Sequence, residues 1–168
     1  MGIDAYAIKN AELAGKNKDF AEEAEEVMLF STPYYGAFMH ATKVLELEEI
    51  KEDEMKYVSF EFLEEDWNSR KTAQASYAMY SSFRNRLAFD KGGFEELREG
   101  DAFFELCAMV DDNGFFSNLT CKKISNDFKD NKEKFFEQNT SWLYRDLYSV
   151  WADIFEEAVN NDGIVVYT

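Results

Sequence analysis

A chain of 168 residues that is 46% hydrophobic and 17% aromatic can bury one substantial core and is short for two. Its 34 acidic against 18 basic residues leave a net charge of −16, which repels phosphates and argues against direct nucleic-acid binding. One proline and eight glycines mark no linker, and no low-complexity tract or internal repeat divides the chain, so a single domain over 1–168 is expected.

Loose alternation from Ile3 to Ile8 predicts a short first strand. The start MGIDAYAIKNAELAGK has no basic stretch followed by an apolar one, and no window approaches the roughly 18 apolar residues of a membrane span. A cytoplasmic protein without a membrane partner is therefore expected. Myristoylation of Gly2 is excluded because the motif needs Ser or Thr where this chain has Tyr6.

Asp19 to Phe30 has helical spacing through Phe20, Ala24, Val27 and Met28, with acids in its first turn. Thr32 as N-cap and Pro33 as first residue open a second helix, with Tyr34, Phe38, Ala41 and Leu45 on one side, running to about Glu49. Met55 to Leu63 alternates Val58, Phe60 and Phe62 against Tyr57, Ser59 and Glu61, the period of a strand. Acids gather in this part: DFAEEAEE at 19–26, then ELEEIKEDE and EFLEED between Glu46 and Asp66. Residues 1–70 carry 17 acids and 7 bases, net −10; residues 71–168 carry 17 and 11, net −6. Such runs are most often solvated helix faces. The sharper reading makes Glu46, Glu48, Glu49, Glu52, Asp53, Glu54, Glu64, Glu65 and Asp66 one acidic face for a basic protein partner.

Beyond Trp67 the pattern is ambiguous until Met79, after which Tyr80, Phe83, Arg84, Leu87 and Ala88 predict a helix ended by Lys91-Gly92-Gly93. Ala102 to Val110, AFFELCAMV, reads as a buried strand, with Asp111 to Gly114 the turn at its end. Asn118 can cap a helix through Leu119, Ile124, Phe128 and Phe135, with Lys122, Lys123, Lys129, Lys132 and Lys134 mostly on its other faces. Thr140 or Ser141 opens another, in which Leu143, Leu147, Val150, Trp151, Ile154, Phe155 and Ala158 keep helical spacing for seven positions. Gly163 is expected as the left-handed exit residue, and Ile164 to Tyr167 as a terminal strand. The sum is α+β: a small, largely antiparallel sheet packed against several amphipathic helices.

Candidate chemistry is sparse. In VDDNGFF, 110–116, aligning Gly114 with the sixth position of a calcium loop puts Asp111 and Asn113 at the third and fifth, but Met109 at the first and Thr120 at the twelfth. Two ligands are missing, so no metal is expected and the stretch reads as a turn. His40 is the only histidine and sits in the aromatic run YYGAFMHATKV, a poor context for a general base. No GxSxG, phosphate-binding loop, GxGxxG or HExxH occurs, and no cofactor or catalytic residue is assigned. Cys107 and Cys121 lack CxxC spacing and read as free, partly buried thiols. Tyr77 and Tyr80 with Arg84 and Arg86 on one helix form a core face or line a small-ligand pocket.

The segments MGIDAYAIK, SYAMYSSFRNRLA, FFELCAMVDDNGFFSNLTCKKISNDF and VWADIFEEAVNNDGIVVYT together resemble a set of phage, prophage and bacterial proteins to which no activity is assigned. Members of that set start MGLD, carry SYSGYxxWR-like and FYELxxFSDCEGxIG-like segments and a KLxxDF helix, and end on a helix and a D/N-G-aliphatic strand. Order and spacing agree over nearly the whole chain, least between residues 10 and 70. Tyr77, Tyr80 and Arg84 fall on the set's tyrosines and arginine, and Asp111 and Gly114 on the acid and glycine of SDCEG. The chain departs from that motif at Val110, Asp112 and Asn113, which stand for its serine, cysteine and glutamate. The resemblance implies a mobile-element origin and a shared α+β fold.

Three function classes stay open. The first is a non-enzymatic acidic protein that binds a basic partner, such as an inhibitor of a host factor or a nucleic-acid mimic. The second is a ligand-binding protein or hydrolase with a pocket around Tyr77, Tyr80, Arg84, Asp111, Asp112 and Gly114. The third is a structural or oligomeric protein.

Overall fold

The computed structural model describes residues 2–10, 12–15, 27–31, 57–61, 66, 68–108 and 114–167. Strand β1, Gly2–Ile8, sits inside a four-stranded sheet with β5 (Lys71–Ser76), β6 (Gly114–Phe116) and β7 (Ile164–Tyr167). The order is β5-β1-β7-β6 and every pairing is antiparallel. A three-stranded antiparallel sheet has the order β2-β4-β3, from Glu12–Gly15, Val27–Ser31 and Tyr57–Glu61.

Register explains which side of the larger sheet meets the helices. Ala5 lies opposite Tyr167 and Ala73, and Ala7 opposite Val165, so these side chains share one face, together with Ile3 and, through its pairing with Val165, Phe116. All belong to the main core. The alanines on β1 and β5 keep this face low, which lets the long aromatic helix α4, Trp142–Asn160, lie close against β1, β5 and β7. The opposite parity carries Ile8, Phe115, Ile164 and Val166, each at most 2% exposed, so the central part of the sheet is covered on both sides.

Helix α1, Tyr77–Leu87, leaves β5 directly, and Ser76 caps it by accepting from the Met79 amide at 3.2 Å. Helix α3, Asn118–Gln138, is capped by Ser117 rather than Asn118. The Asn118 amide instead donates to the Ala158 and Gly163 carbonyls, tying the start of α3 to the end of α4. Helices α3 and α4 pack as a hairpin whose core carries Phe128, Phe135, Tyr148, Trp151 and Phe155, with ring centroids 4.5–4.8 Å apart at the closest. Burying a side chain of this size contributes about 1.5–3 kcal/mol. None of the helices among the described residues is long and apolar enough to cross a membrane.

Four expectations are corrected. Of the strand expected over Ala102–Val110, the described residues 102–108 form none: Phe103 takes a left-handed φ of 63°, and Phe104–Ala108 follows as a short helix, α2, wedged against α3. Glu105, Leu106 and Cys107 are buried in succession, a run whose period does not separate helix from strand. Val27–Ser31, the end of the first expected helix and the residue after it, is strand, its Met28 opposite Phe60 and Leu29 opposite Ser59. Gly163 is not the left-handed residue; Asp162 is, at φ 48°. Glycine is required at 163 for another reason, since a Cβ there would stand 2.1 Å from the Ile8 carbonyl oxygen. Asp66 does not belong to an exposed acidic face, being buried and accepting a hydrogen bond from Asn10 at 3.3 Å. The helix expected from Thr32 to Glu49, residues 19–26, His40 and the turn at 111–113 lie outside the described residues.

Candidate functional site

Tyr80 and Arg84, one turn apart on α1, both point into the core. The Tyr80 hydroxyl donates to the Leu106 carbonyl and to the Tyr167 hydroxyl, each at 3.2 Å, and Tyr167 in turn accepts from the Trp151 indole at 2.7 Å. Since a single hydroxyl proton cannot serve two acceptors fully, Tyr80 shares it between them. Burial pushes both phenols well above their ordinary range, so this chain of hydroxyls and indole stays neutral.

Arg84 is 6% exposed. Its Nη1 donates to the Cys107 carbonyl at 2.9 Å, and the Cys107 thiol donates back to the Arg84 carbonyl at 3.8 Å. The guanidinium carbon lies 5.2 Å from the Tyr80 ring centroid and 4.3 Å from that of Phe94, one aromatic face on the inside and one on the outside. Arg84 and Tyr80 thus hold the last turn of α2, whose carbonyls have no helical partners. Burial also raises the Cys107 thiol to about 12 and lifts Cys121 further, so both are inert free thiols.

A charged cluster lies beside it. Lys123 on α3 reaches Glu105 at 2.6 Å, Asp127 at 2.7 Å and the Asp101 carbonyl at 2.7 Å. Asp127 also accepts the Phe103 amide at 2.8 Å, which fixes the left-handed residue before α2. Burial raises the Asp127 carboxyl, Glu105 adds to that, and Lys123 and the Phe103 amide oppose it. At the far end of the α3–α4 hairpin, Arg145 donates to the Asn139 and Phe136 carbonyls, while Arg86 donates to Asn139 and stacks on Tyr144. Hydrogen bonds from Ser82 and Arg86 hold the Tyr144 phenol below its ordinary value. These contacts close the C-terminus of α3.

On the outer side of the hairpin, Ser125, Phe128 and Tyr148 floor a cleft of about 230 Å³ between Lys129 and Lys132 on α3 and Asp153 and Glu156 on α4. A Lys129–Glu156 ion pair of 3.1 Å spans it. Among the described residues no group of three or more His, Cys, Asp or Glu could hold a metal ion.

The segments SYAMYSSFR, FFELC and the terminal IVVY therefore do meet, joined through Tyr80, Arg84, Leu106, Cys107 and Tyr167. They meet as packed core. Tyr77 is half-buried against that core at the start of α1, and Gly114 opens β6 opposite Tyr167. Asp111 and Asp112, and the acids Glu46, Glu48, Glu49, Glu52, Asp53, Glu54, Glu64 and Glu65, lie outside the described residues. Sequence reasoning missed the cluster around Lys123. Its one signal was Glu105 inside the apolar run FFELC, a charge that cannot be buried without a partner. The chain matches no family model, no curated protein and no solved structure.

Proposed function

We propose that the protein acts by binding rather than catalysis, offering the acidic residues of its N-terminal part to a basic protein partner, in the manner of an inhibitor that covers a phosphate-binding surface. One observation carries this reading: the uneven use of charge. Around the helices, cations are spent on the molecule's own acids, as in Lys9 and Lys71 with Glu157, Lys91 with Asp101, Lys123 with Glu105 and Asp127, Lys129 with Glu156 and Lys134 with Asp90. Residues 68–108 hold six acids and six bases. The larger share of the excess falls in residues 1–70, at net −10, against −6 for residues 71–168. Tyr80 and Arg84, the residues that a catalytic pocket would have used, are committed to core hydrogen bonds.

The test separates a particular acidic segment from bulk charge. In one variant the eight acids from Glu46 to Glu65 named above become Gln or Asn; in the other the eight exposed acids Glu95, Glu96, Asp130, Glu133, Glu137, Asp146, Asp153 and Asp162 do. Both then carry the same net charge. Affinity for a Lys/Arg-rich peptide, read by fluorescence anisotropy at fixed ionic strength, is expected to fall about tenfold or more in the first and only about two- to threefold in the second. Equal losses overturn the proposal.

A further inference from the structure

The cleft on the outer side of the α3–α4 hairpin holds polar groups that neither the core nor the acidic segment uses. Its walls differ in sign: Lys129 and Lys132 line it from α3, Asp153 and Glu156 from α4. The Lys129–Glu156 ion pair closes one rung across it at 3.1 Å, with both side chains about half exposed. Three residues on along α3 and three residues back along α4, Lys132 and Asp153 stand at the next rung, which is open. Among the described residues Lys132 has no carboxylate partner, only the Phe136 ring 5.7 Å from its ammonium, and Asp153 has neither ion pair nor hydrogen bond. Aspartate is one methylene shorter than glutamate, so it lacks the reach by which Glu156 closes the first rung.

A third group is left over at the floor. Ser125, two turns before Lys132 on α3, is 3% exposed and lines the cleft, and its hydroxyl has no hydrogen-bond partner among the described residues. A hydroxyl withdrawn from water in this way costs stability unless something in the cleft meets it. Between Ser125 and the open rung the lining is apolar, with Phe128, Tyr148 and Ala152 beside the lysine stems. The helical rise from Ser125 to Lys132 is about 10 Å along the axis. That distance suits a short chain of about four carbons with a hydrogen-bonding group at each end, each making a contact of about 3 Å. The cleft, at about 230 Å³, is smaller than the roughly 300–1,000 Å³ of a drug-sized site, so a metabolite of about ten non-hydrogen atoms fills it.

The unmet groups define the ligand. The open rung takes an anion at Lys132 and a cation at Asp153, and a zwitterion supplies both without adding net charge to a chain at −16. The floor takes a short carbon chain, and Ser125 takes a neutral group that donates or accepts. We propose that the cleft binds a free α-amino acid with a neutral, amide-ended side chain, its carboxylate at Lys132, its ammonium at Asp153, its methylenes over Phe128 and Ala152 and its amide at Ser125. This site is independent of the acidic N-terminal part and is expected to persist when Glu46 to Glu65 are neutralised.

In the experiment, glutamine is titrated into the ¹⁵N-labelled full chain at constant ionic strength and followed by the backbone amide shifts. The expected result is saturable movement at Ser125, Lys132 and Asp153 with a millimolar dissociation constant, appropriate to so few atoms. Glutaramate, which lacks the ammonium, and 4-aminobutanamide, which lacks the carboxylate, are expected to bind about tenfold more weakly or worse. Norleucine, which keeps the zwitterion and loses the amide, is expected to bind about three- to tenfold more weakly, and Ser125→Ala is expected to abolish that preference. Asp153→Asn, at an exposed position, is expected to weaken glutamine about tenfold. Lys122→Gln, at an exposed position of α3 away from the cleft, is expected to leave binding unchanged. Should Ser125→Ala not fold, the wild-type comparisons and Asp153→Asn still decide. The absence of saturable shifts overturns the proposal, and so do shifts confined to residues away from the cleft. A one-charge analogue that binds as tightly as glutamine, or a preference over norleucine that survives in Ser125→Ala, overturns it too.

Discussion

Two charge clusters, one on α3 and one on α4, have inverse stoichiometry. On one, a single cation, Lys123, stands between two carboxylates, Glu105 and Asp127; on the other, a single carboxylate, Glu157, stands between Lys9 and Lys71, each at 3.1 Å. The first ties the turn before α2 to α3, and the second ties β1 and β5 to α4. Asp127 and Glu157 shift in opposite directions. Asp127 is raised by burial, which Glu105 reinforces; at Glu157 burial, the largest single effect, is outweighed by the two lysines together, and its carboxyl is held below the ordinary value. An ion pair is thus not a fixed quantity of stability: the local ratio of charges decides whether the ionised carboxylate is comfortable in the fold.

Removing the minority charge breaks the comparison most severely. Lys123→Met leaves Glu105 and Asp127 facing each other with side-chain exposures of only 7% and 15%. The loss in unfolding free energy is expected to be about 2–3 kcal/mol at neutral pH, under the figure for a fully enclosed pair because Lys123 itself keeps contact with water. Urea denaturation measures it. The loss is expected to shrink on acidification, as Asp127, whose carboxyl burial already raises, takes up its proton; a loss independent of pH would mean that lost packing of the lysine stem, not charge, dominates.

Neither cluster was legible in the sequence, and the reason is the same for both. Lysines on the polar side of α3 look alike by spacing, and only the turn at Phe103, set by tertiary contacts, selects Lys123. What the pattern did carry were long apolar periods: α4, with Leu147, Trp151, Ile154, Phe155 and Ala158 all buried, and the strands at the two ends of the chain. It failed on short elements. Strand β5, KTAQAS, has Ala73 as its one fully buried side chain, so nothing in its composition announces a strand; it exists because β1 pairs with it from Gly2 to Ala7. For the candidate site, the sequence left a core face and a small-ligand pocket open for Tyr77, Tyr80, Arg84 and Arg86, and Tyr80 and Arg84 lie in the core. That Arg84 faces inward with Tyr80 was not readable, because an aromatic-rich helix such as α1 has two apolar sides and periodicity does not say which is the wetter.

A milder change sharpens the comparison at the second cluster. Glu157→Gln leaves two lysines that are 26% and 50% exposed and free to turn to solvent, so the expected cost is about 0.5–1 kcal/mol at neutral pH. Because the carboxyl of Glu157 is held below its unfolded value, its contribution is present above that unfolded value and is lost as pH falls through the lower folded one. The difference between wild type and Glu157→Gln, followed by urea denaturation from about pH 7 to about pH 3, is expected to close toward acid.

Asp127→Asn is the smallest perturbation and the most diagnostic. Asparagine keeps the shape and an oxygen for the Phe103 amide, and it removes a charge that the fold does not favour, so at neutral pH a change under about 1 kcal/mol is expected. The informative quantity is the slope. A carboxyl raised in the folded state binds its proton more readily there than in the unfolded chain, so wild type gains stability relative to Asp127→Asn as pH falls from the raised value toward the ordinary one near 3.9. That contribution is complete below the unfolded value and lost as pH rises through the folded one, the reverse of the course at Glu157. Parallel pH courses for the two variants would show that Lys123 at 2.7 Å outweighs burial and Glu105 together, and that the two clusters differ in count but not in consequence.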